Sequence, residues 1–441
     1  MSSPSPAPAT AAARAAADAA QTASRVLACA GTAQKDAALG AMAAAMHAER
    51  AALLAANRRD LRRAHTRLER GELNQATVAR LSLSEHKLDQ MAAGILQVAA
   101  LPDPAHQVLL DRLLDEGLRL RKVTAPFGVI AAIIEARPDA VVQLAALVVK
   151  SGSALLLKAG AEARASTRAL VAALRRACAA AGLPADCIIA IEGRRAAQAL
   201  LALDDRIALV VPRGGQALVR YVQTHTTIPV LGHADGVCHV YVDAAADPER
   251  ACAIVLDSKV QSPSTCNAAE TVLVHQACAA TMVPLLIQRL AAAGVTVRGC
   301  ERTRALAPGR AIAPVEDWHT EYLDLVCAMR VVDDLEAAIA HIHAHGSSHT
   351  DAIVTEDAAA GQRFLEAVDS AGVYLNASTR FADGFRYGFG AEVGISTNKL
   401  HARGPVGLDS LVTYKYQIVG QGHLVADYAS GRRHFLHERQ D

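Results

Sequence analysis

Residues 127–160 run FGVIAAIIEARPDAVVQLAALVVKSGSALLLKAG. FGVIAAII is an unbroken apolar stretch of strand length, DAVVQLAALVVKSG is a helix closed by Gly152, and SALLLKAG is a second strand. Strand, helix and strand in that order predict a βαβ unit. The pattern continues through the helix EARASTRALVAALRRACAAAGLP (162–184), ended by Gly182 and Pro184, and the strands CIIAIEG (187–193) and RIALVVPRGG (206–215). Strands that are apolar throughout belong in a sheet covered on both faces, so the fold class is α/β with a doubly wound parallel sheet. Such sheets take ligands outside the carboxyl ends of their strands.

Beyond this stretch, IPVLG…VCHVYVD (228–243) adds strand, and PERACAIVLDSKVQ (248–261) is a helix. A second α/β block follows, in which AETVLVH, TVRG, LDLVCAMRVV, DAIVTE and GVYLNAS alternate with helices such as LEAAIAHIHAHG, as far as about residue 405. Upstream, residues 11–100 carry helical Ala/Leu/Arg patterns with Gly71 as a stop. Residues 108–125 place Asp115-Glu116-Gly117 between alternating segments, as in a hairpin or arm, and SLVTYKYQIVG (410–420) alternates like an edge strand. Residues 1–10 are rich in Ser, Pro and Ala and are expected to be disordered.

A length of 441 residues calls for two or three domains. Lys+Arg 45 against Asp+Glu 44 gives a net charge of +1, which excludes a nucleic-acid or anionic-membrane partner recruited by bulk charge. No apolar run reaches the roughly 18 residues of a membrane span. The N-terminus lacks the basic and apolar regions of a secretory signal. Nine cysteines without paired spacing suggest neither a disulfide framework nor a zinc knuckle. The expectation is a protein of a reducing cytoplasm, with no nucleic-acid and no membrane partner.

Four stretches carry chemistry. QSPSTCNAAE (261–270) sets Cys266 in a loop of small residues between a helix and a strand. A nucleophilic thiolate needs nearby N–H groups or a cation, for which Asn267, the loop N–H groups and Lys259 are local candidates; a small thiol filling a turn explains the same neighbours equally well. VVPRGG (210–215) is a strand and glycine turn ahead of a helix start, which aims N–H groups at an anion beside Arg213; a structural turn needing two glycines explains it equally well. LLLKAGAEA places Lys158 and Glu162 at a strand's carboxyl end and the next helix start, where they can meet a cofactor phosphate and ribose; a solvated ion pair on a surface loop is the other reading. The long loop of residues 378–405 carries Arg380, Arg386, Lys399, His401 and Arg403, a set suited to an anionic substrate. HIHAHGSSH (341–349) is expected to be helix-surface histidine with no metal site, since no carboxylate or cysteine completes the set at short range. Cys238-His239, inside a strand, is expected to be core packing.

EARPD (135–139), VVPRGG (210–215), TTIPVLGHADGVCHVYVD (226–243), SPSTCNAAETVLVH (262–275), GSSHTDAIVTED (346–357) and NASTRFADG…GFGAEVGISTNKLHARGPVGL (376–408) together resemble the γ-glutamyl phosphate reductases, a branch of the aldehyde dehydrogenase superfamily. The resemblance spans nearly the whole chain beyond its N-terminal tail. It implies an aldehyde dehydrogenase-like fold: a Rossmann-type NADPH-binding domain (11–107 and 126–260), an α/β catalytic domain (261–405), and a small β oligomerisation arm with the C-terminal segment (108–125 and 406–441). It further implies NADPH-dependent reduction of L-glutamate 5-phosphate to the semialdehyde and phosphate, on the route from glutamate to proline. A homo-oligomer and a hand-over of substrate from glutamate 5-kinase also follow from it.

The resemblance carries the nucleophile to Cys266, with Asn267 as oxyanion support, and a contact to the nicotinamide ribose to Glu321. Lys158, Glu162, Pro212, Arg213, Gly214 and Gly215 fall in its cofactor stretches, and Arg137, Ser378, Thr379, Arg380 and Arg403 in its substrate stretches. Hydrolytic aldehyde dehydrogenases carry a water-activating glutamate upstream of the cysteine, where this chain reads PVLGHADG, with none. Asp139, Lys158 and Ser262 depart from the usual family residues. Two alternatives remain: oxidation of another aldehyde on the same fold, and a cysteine acyltransferase using Cys266 with His239 or His401.

Overall fold

The computed structural model describes residues 8–307, 309 and 312–439 of the chain. The chain divides into two compact units, residues 1–231, 390–393 and 406–441 in the first, and 232–389 and 394–405 in the second.

The first unit is built on a four-stranded parallel sheet in the order Ile188–Ile191, Ala154–Ala159, Val129–Ile134, Leu209–Arg213. Val129–Ile134 is buried at every position, and its side chains alternate between two cores. Ile130, Ala132 and Ile134 join Leu155, Leu157 and Val211 against helices Pro138–Lys150 and Arg164–Ala180. Val129, Ala131 and Ile133 join Ala154, Leu156 and Val210 against Ala13, Ala17 and Ala20 of helix Pro8–Leu27. The strand is apolar throughout because it serves both layers. Of the tail expected to be disordered, residues 1–7 lie outside the described residues, whereas Pro8 already opens a helix.

The second unit holds a seven-stranded parallel sheet in the order Ala313–Pro314, Thr296–Gly299, Val326–Val332, Ala269–His275, Cys238–Val242, Thr350–Val354, Gly372–Leu375. Val240, Val272 and Ala352 face helices Pro248–Val260 and Gln276–Ala292, while Tyr241, Leu273 and Ile353 face helix Leu335–His345. The expected boundary near residue 260 therefore moves to 231/232. Cys238–Val242 pairs with both Ala269–His275 and Thr350–Val354, deep inside the second sheet, and helix Pro248–Val260 covers that sheet. An unbroken run of βαβ spacing hides the point at which one sheet ends and another begins. Residues 390–393, expected in the second block, group with the first unit.

The predicted arm forms a separate antiparallel sheet in the order Val412–Val419, Leu118–Pro126, Val108–Asp115, Glu438–Arg439. Its hairpin turns at Gly117, whose φ of 72° suits glycine. No helix among the described residues is long and apolar enough to cross a membrane.

Candidate active site

Helix Pro248–Val260 starts on Asp247, whose carboxylate caps the Arg250 N–H at 2.8 Å. It delivers the chain into the Cys266 loop, which returns as strand Ala269–His275. Within the loop the Thr265 hydroxyl donates to the Ser262 carbonyl at 2.7 Å, and the Ala268 N–H to the Thr265 carbonyl at 2.9 Å. The segment 378–382 holds the loop from outside. Arg380 donates to Gln261 Oε1 at 2.8 Å and to Thr265 Oγ1 at 2.7 Å, and the Thr379 hydroxyl donates to the Asn267 carbonyl at 2.7 Å. Ser378 is bonded to Ser258 at 3.2 Å.

On the other side Gly236 lies against Cys266 so closely that a Cβ there would stand 2.2 Å from the Cys266 carbonyl oxygen and 2.6 Å from its Cα. Only glycine fits. The Gly236 N–H donates to the Glu321 carboxylate, which burial raises above its ordinary range against the pull of that N–H and of His233. The Cys238 thiol donates to the Cys266 carbonyl at 3.2 Å, and burial keeps it protonated. Cys266 itself is half-buried. Its sulfur and one ring nitrogen each of His233 and His349 lie within 4.8 Å of one another. Gly236, Cys266, Glu321 and His349 each stand just ahead of a strand of the second sheet. The site thus gathers at that sheet's amino edge, not at the carboxyl edge the parallel pattern suggests.

Several expected roles change with these contacts. The Asn267 carboxamide is buried and donates one N–H to the Ala382 carbonyl at 2.7 Å, which anchors the loop. Ser378, Thr379 and Arg380, expected in the substrate stretches, bond to helix Pro248–Val260 and to the Cys266 loop. Arg403 donates to Asp369 at 2.8 Å and Lys399 pairs with the same carboxylate, which the two cations hold down at about 2. Arg386 donates to the Arg380 carbonyl at 2.7 Å. The basic set expected to hold an anion is largely engaged within the protein. Lys259, expected to assist the thiolate, is fully buried against Glu270 at 2.7 Å. Burial pushes the Glu270 carboxyl up to about 7, opposed by Lys259. His239, the alternative partner for Cys266 in an acyltransferase, is fully buried and bound through Nδ1 to Asp351 at 2.8 Å. His341, expected on a helix surface, is buried beside Arg330.

In the first unit Lys158 and Glu162 line a cleft of about 720 Å³ at the carboxyl ends of the sheet, with Glu135, Arg164, Glu192 and Tyr221. Glu162 is within 3.6 Å of Arg67. Pro212 and Arg213 end strand Leu209–Arg213, and Gly214 and Gly215 turn into helix Gln216–Thr224. The Gly215 N–H donates to Glu135 Oε2 at 2.8 Å, and a Cβ at Gly214 would stand 2.6 Å from that carboxylate. The turn therefore holds an anion as its geometry predicts, and the anion is the chain's own carboxylate. Arg137 stands at the N-cap position of helix Pro138–Lys150 in the first unit, without a side-chain capping bond.

Sequence reasoning did not single out Gly236, His233, Glu270 or Glu135, and it read His349, which is fully buried beyond the helix end, as helix-surface histidine. Gly236, His233 and His349 lie on loops of the second unit brought together by strand order, so no short-range spacing marks them.

A clamped, half-buried thiol flanked by two imidazoles and a packed glycine is an arrangement for nucleophilic chemistry. The model of the aldehyde dehydrogenase family matches residues 1–306. A gamma-glutamyl phosphate reductase from Synechococcus sp. (strain JA-3-3Ab) is 52% identical over 425 residues, 95% of this chain and 92% of that protein. The crystal structure of the gamma-glutamyl phosphate reductase from Thermotoga maritima aligns with a TM-score of 0.90 at 38% identity, covering 93% of this chain and 99% of that one. An engineered glycolyl-CoA reductase with bound NADP+ shares the fold at a TM-score of 0.62 and 15% identity, over 92% and 96% of the two chains. The chain belongs to the aldehyde dehydrogenase family of oxidoreductases, and within it to the gamma-glutamyl phosphate reductase branch. Enzymes of this family work with a nicotinamide cofactor.

Proposed function

We propose that this enzyme reduces L-glutamate 5-phosphate to L-glutamate 5-semialdehyde and phosphate with NADPH, in the synthesis of proline from glutamate. The observation that carries the chemistry is the Cys266 thiol, held on a loop clamped by Arg380, Thr379 and Gly236. The substrate follows from the relatives that share half of the sequence over nearly its whole length.

The Cys266 thiolate attacks the acyl carbon, the carbon–oxygen bond to phosphate breaks, and phosphate leaves with its electron pair and the proton given up by the thiol. Backbone N–H groups of the loop hold the developing oxyanion. Bound nicotinamide supplies one hydride, which takes the thioester to the aldehyde level. Cys266 then departs as the thiolate. The absence of a glutamate from PVLGHADG spares the thioester from activated water. Lys158 and Glu162 fit the adenosine side of a dinucleotide, the ammonium toward a 2′-phosphate and the carboxylate toward ribose hydroxyls. Glu321, half-buried beside Gly236, is suited to a nicotinamide ribose hydroxyl.

The nine cysteines are all free thiols, as suits a cytoplasmic enzyme. The antiparallel sheet with exposed Tyr416 and Ile418 is the surface through which copies of the chain would assemble.

The test runs the reaction backward, with glutamate semialdehyde and NADP+, and follows NADPH. Activity should require phosphate, and Cys266→Ala should lower kcat by about 10⁴-fold or more. Full activity in the variant, or turnover without phosphate, would sink the mechanism.

A further inference from the structure

We propose that His233, Cys266 and His349 form a binding site for a thiophilic divalent cation of the zinc type, which silences the nucleophile when bound. Their ligand atoms already lie within 4.8 Å of one another. Zinc bonds to sulfur and imidazole nitrogen put such atoms about 3.5 Å apart in a tetrahedral site, so side-chain rotations close the remaining gap.

The two imidazoles are prepared for ligation. His349 is fully buried, and its Nε2 has no hydrogen-bond partner. Its Nδ1 is 2.9 Å from Thr350 Oγ1 and 3.6 Å from Cys238 Sγ, partners that hold the ring while Nε2 serves as the ligand atom. His233 Nδ1 is 2.7 Å from the Ile395 carbonyl. A carbonyl only accepts, so Nδ1 carries the proton and Nε2 carries the lone pair. Such an N–H to carbonyl bond is how proteins orient metal-binding histidines. The two rings meet edge to face at 4.8 Å.

One sulfur and two imidazole nitrogens select zinc over magnesium or calcium, which require oxygen ligands. The ion takes the Cys266 sulfur electron pair and releases the thiol proton to solvent, while a fourth position stays open to water. Short-range spacing predicts no metal site, because the three ligands come from segments far apart in sequence. Ion binding stands by itself; only its inhibitory consequence rests on the proposed role of Cys266.

The full-length protein, stripped of metal, is titrated with Co2+ and then with Zn2+. The expected result is a sulfur-to-cobalt charge-transfer band that Zn2+ removes, with one proton released per ion and Cys266 protected from iodoacetamide. Cys266→Ser should abolish the band, and His349→Gln should weaken binding by more than about 100-fold, beyond what outer partners contribute. His233→Asn repeats the test at a half-buried position should the buried His349 variant fail to fold. A band that persists in Cys266→Ser, or affinity unchanged in both histidine variants, overturns the site. An active enzyme that binds no zinc would overturn the site and leave the reductase reading standing. Loss of zinc binding with phosphate-independent activity would overturn both.

Discussion

At the scale of single residues, the position of Cys266 depends on one glycine. Gly236 has no room for a methyl group, and the obstacle is backbone, which cannot swing aside as a side chain can. Gly236→Ala should therefore push the Cys266 loop outward. A displacement of about 1 Å at reacting atoms can cost on the order of 100-fold in kcat. The expected outcome is a loss of that size with a much smaller change in Tm, measured by steady-state kinetics and thermal melting. Near-normal kcat would show that the loop tolerates the shift.

A second residue-scale expectation concerns His341. Burial holds its imidazole down at about 2, reinforced by His239 and by Arg330, whose guanidinium donates to Nδ1 at 2.9 Å. The unfolded chain takes up a proton below about 6.5 while the folded chain does not. Stability from this residue is thus complete above about pH 6.5 and falls as pH drops toward the folded value, by up to about 1.4 kcal/mol per pH unit. Glu270 works oppositely: its carboxyl is raised to about 7, so its contribution is full below its unfolded value and is lost as pH rises through about 7. Urea unfolding at pH 7.5 and 5.5 should show a steeper loss on acidification in wild type than in His341→Asn. Equal slopes would remove His341 from the account.

At the scale of elements, the arm strand Val412–Val419 is the most conspicuous feature. Among the described residues it is an edge strand, paired only with Leu118–Pro126. Beyond Val412 both of its faces are open, with Tyr416 60% and Ile418 62% exposed. An edge with free backbone groups and large apolar side chains is a pairing site for another chain. Substituting Tyr416→Asp and Ile418→Asp together should reduce the assembly to the 46.2 kDa monomer by light scattering. The double variant should keep its far-ultraviolet circular dichroism, since neither side chain packs in a core. An unchanged mass would exclude the strand as the interface.

At the scale of the molecule, the two parallel sheets use opposite edges. Lys158, Glu162 and the Gly214-Gly215 turn follow the carboxyl ends of the first sheet's strands, where strand–turn–helix geometry exposes N–H groups to an anion. Gly236, Cys266, Glu321 and His349 precede the strands of the second. The α/β class, the parallel strands, the arm hairpin and the prominence of Cys266 were legible in the chain, because each is encoded by local periodicity or by a loop of unusual composition. Local patterning also marked Lys158 and Glu162 in the cleft. Tertiary structure alone decided that residues 232–260 belong to the second unit, that Asn267, Arg380 and Arg403 each make bonds within the protein, and that His233 and His349 stand beside the thiol. The physical reason is that periodicity reports which face of a strand or helix is buried. Strand order, which brings residues 233, 266 and 349 to one edge, is set by long-range pairing that no short window of sequence contains.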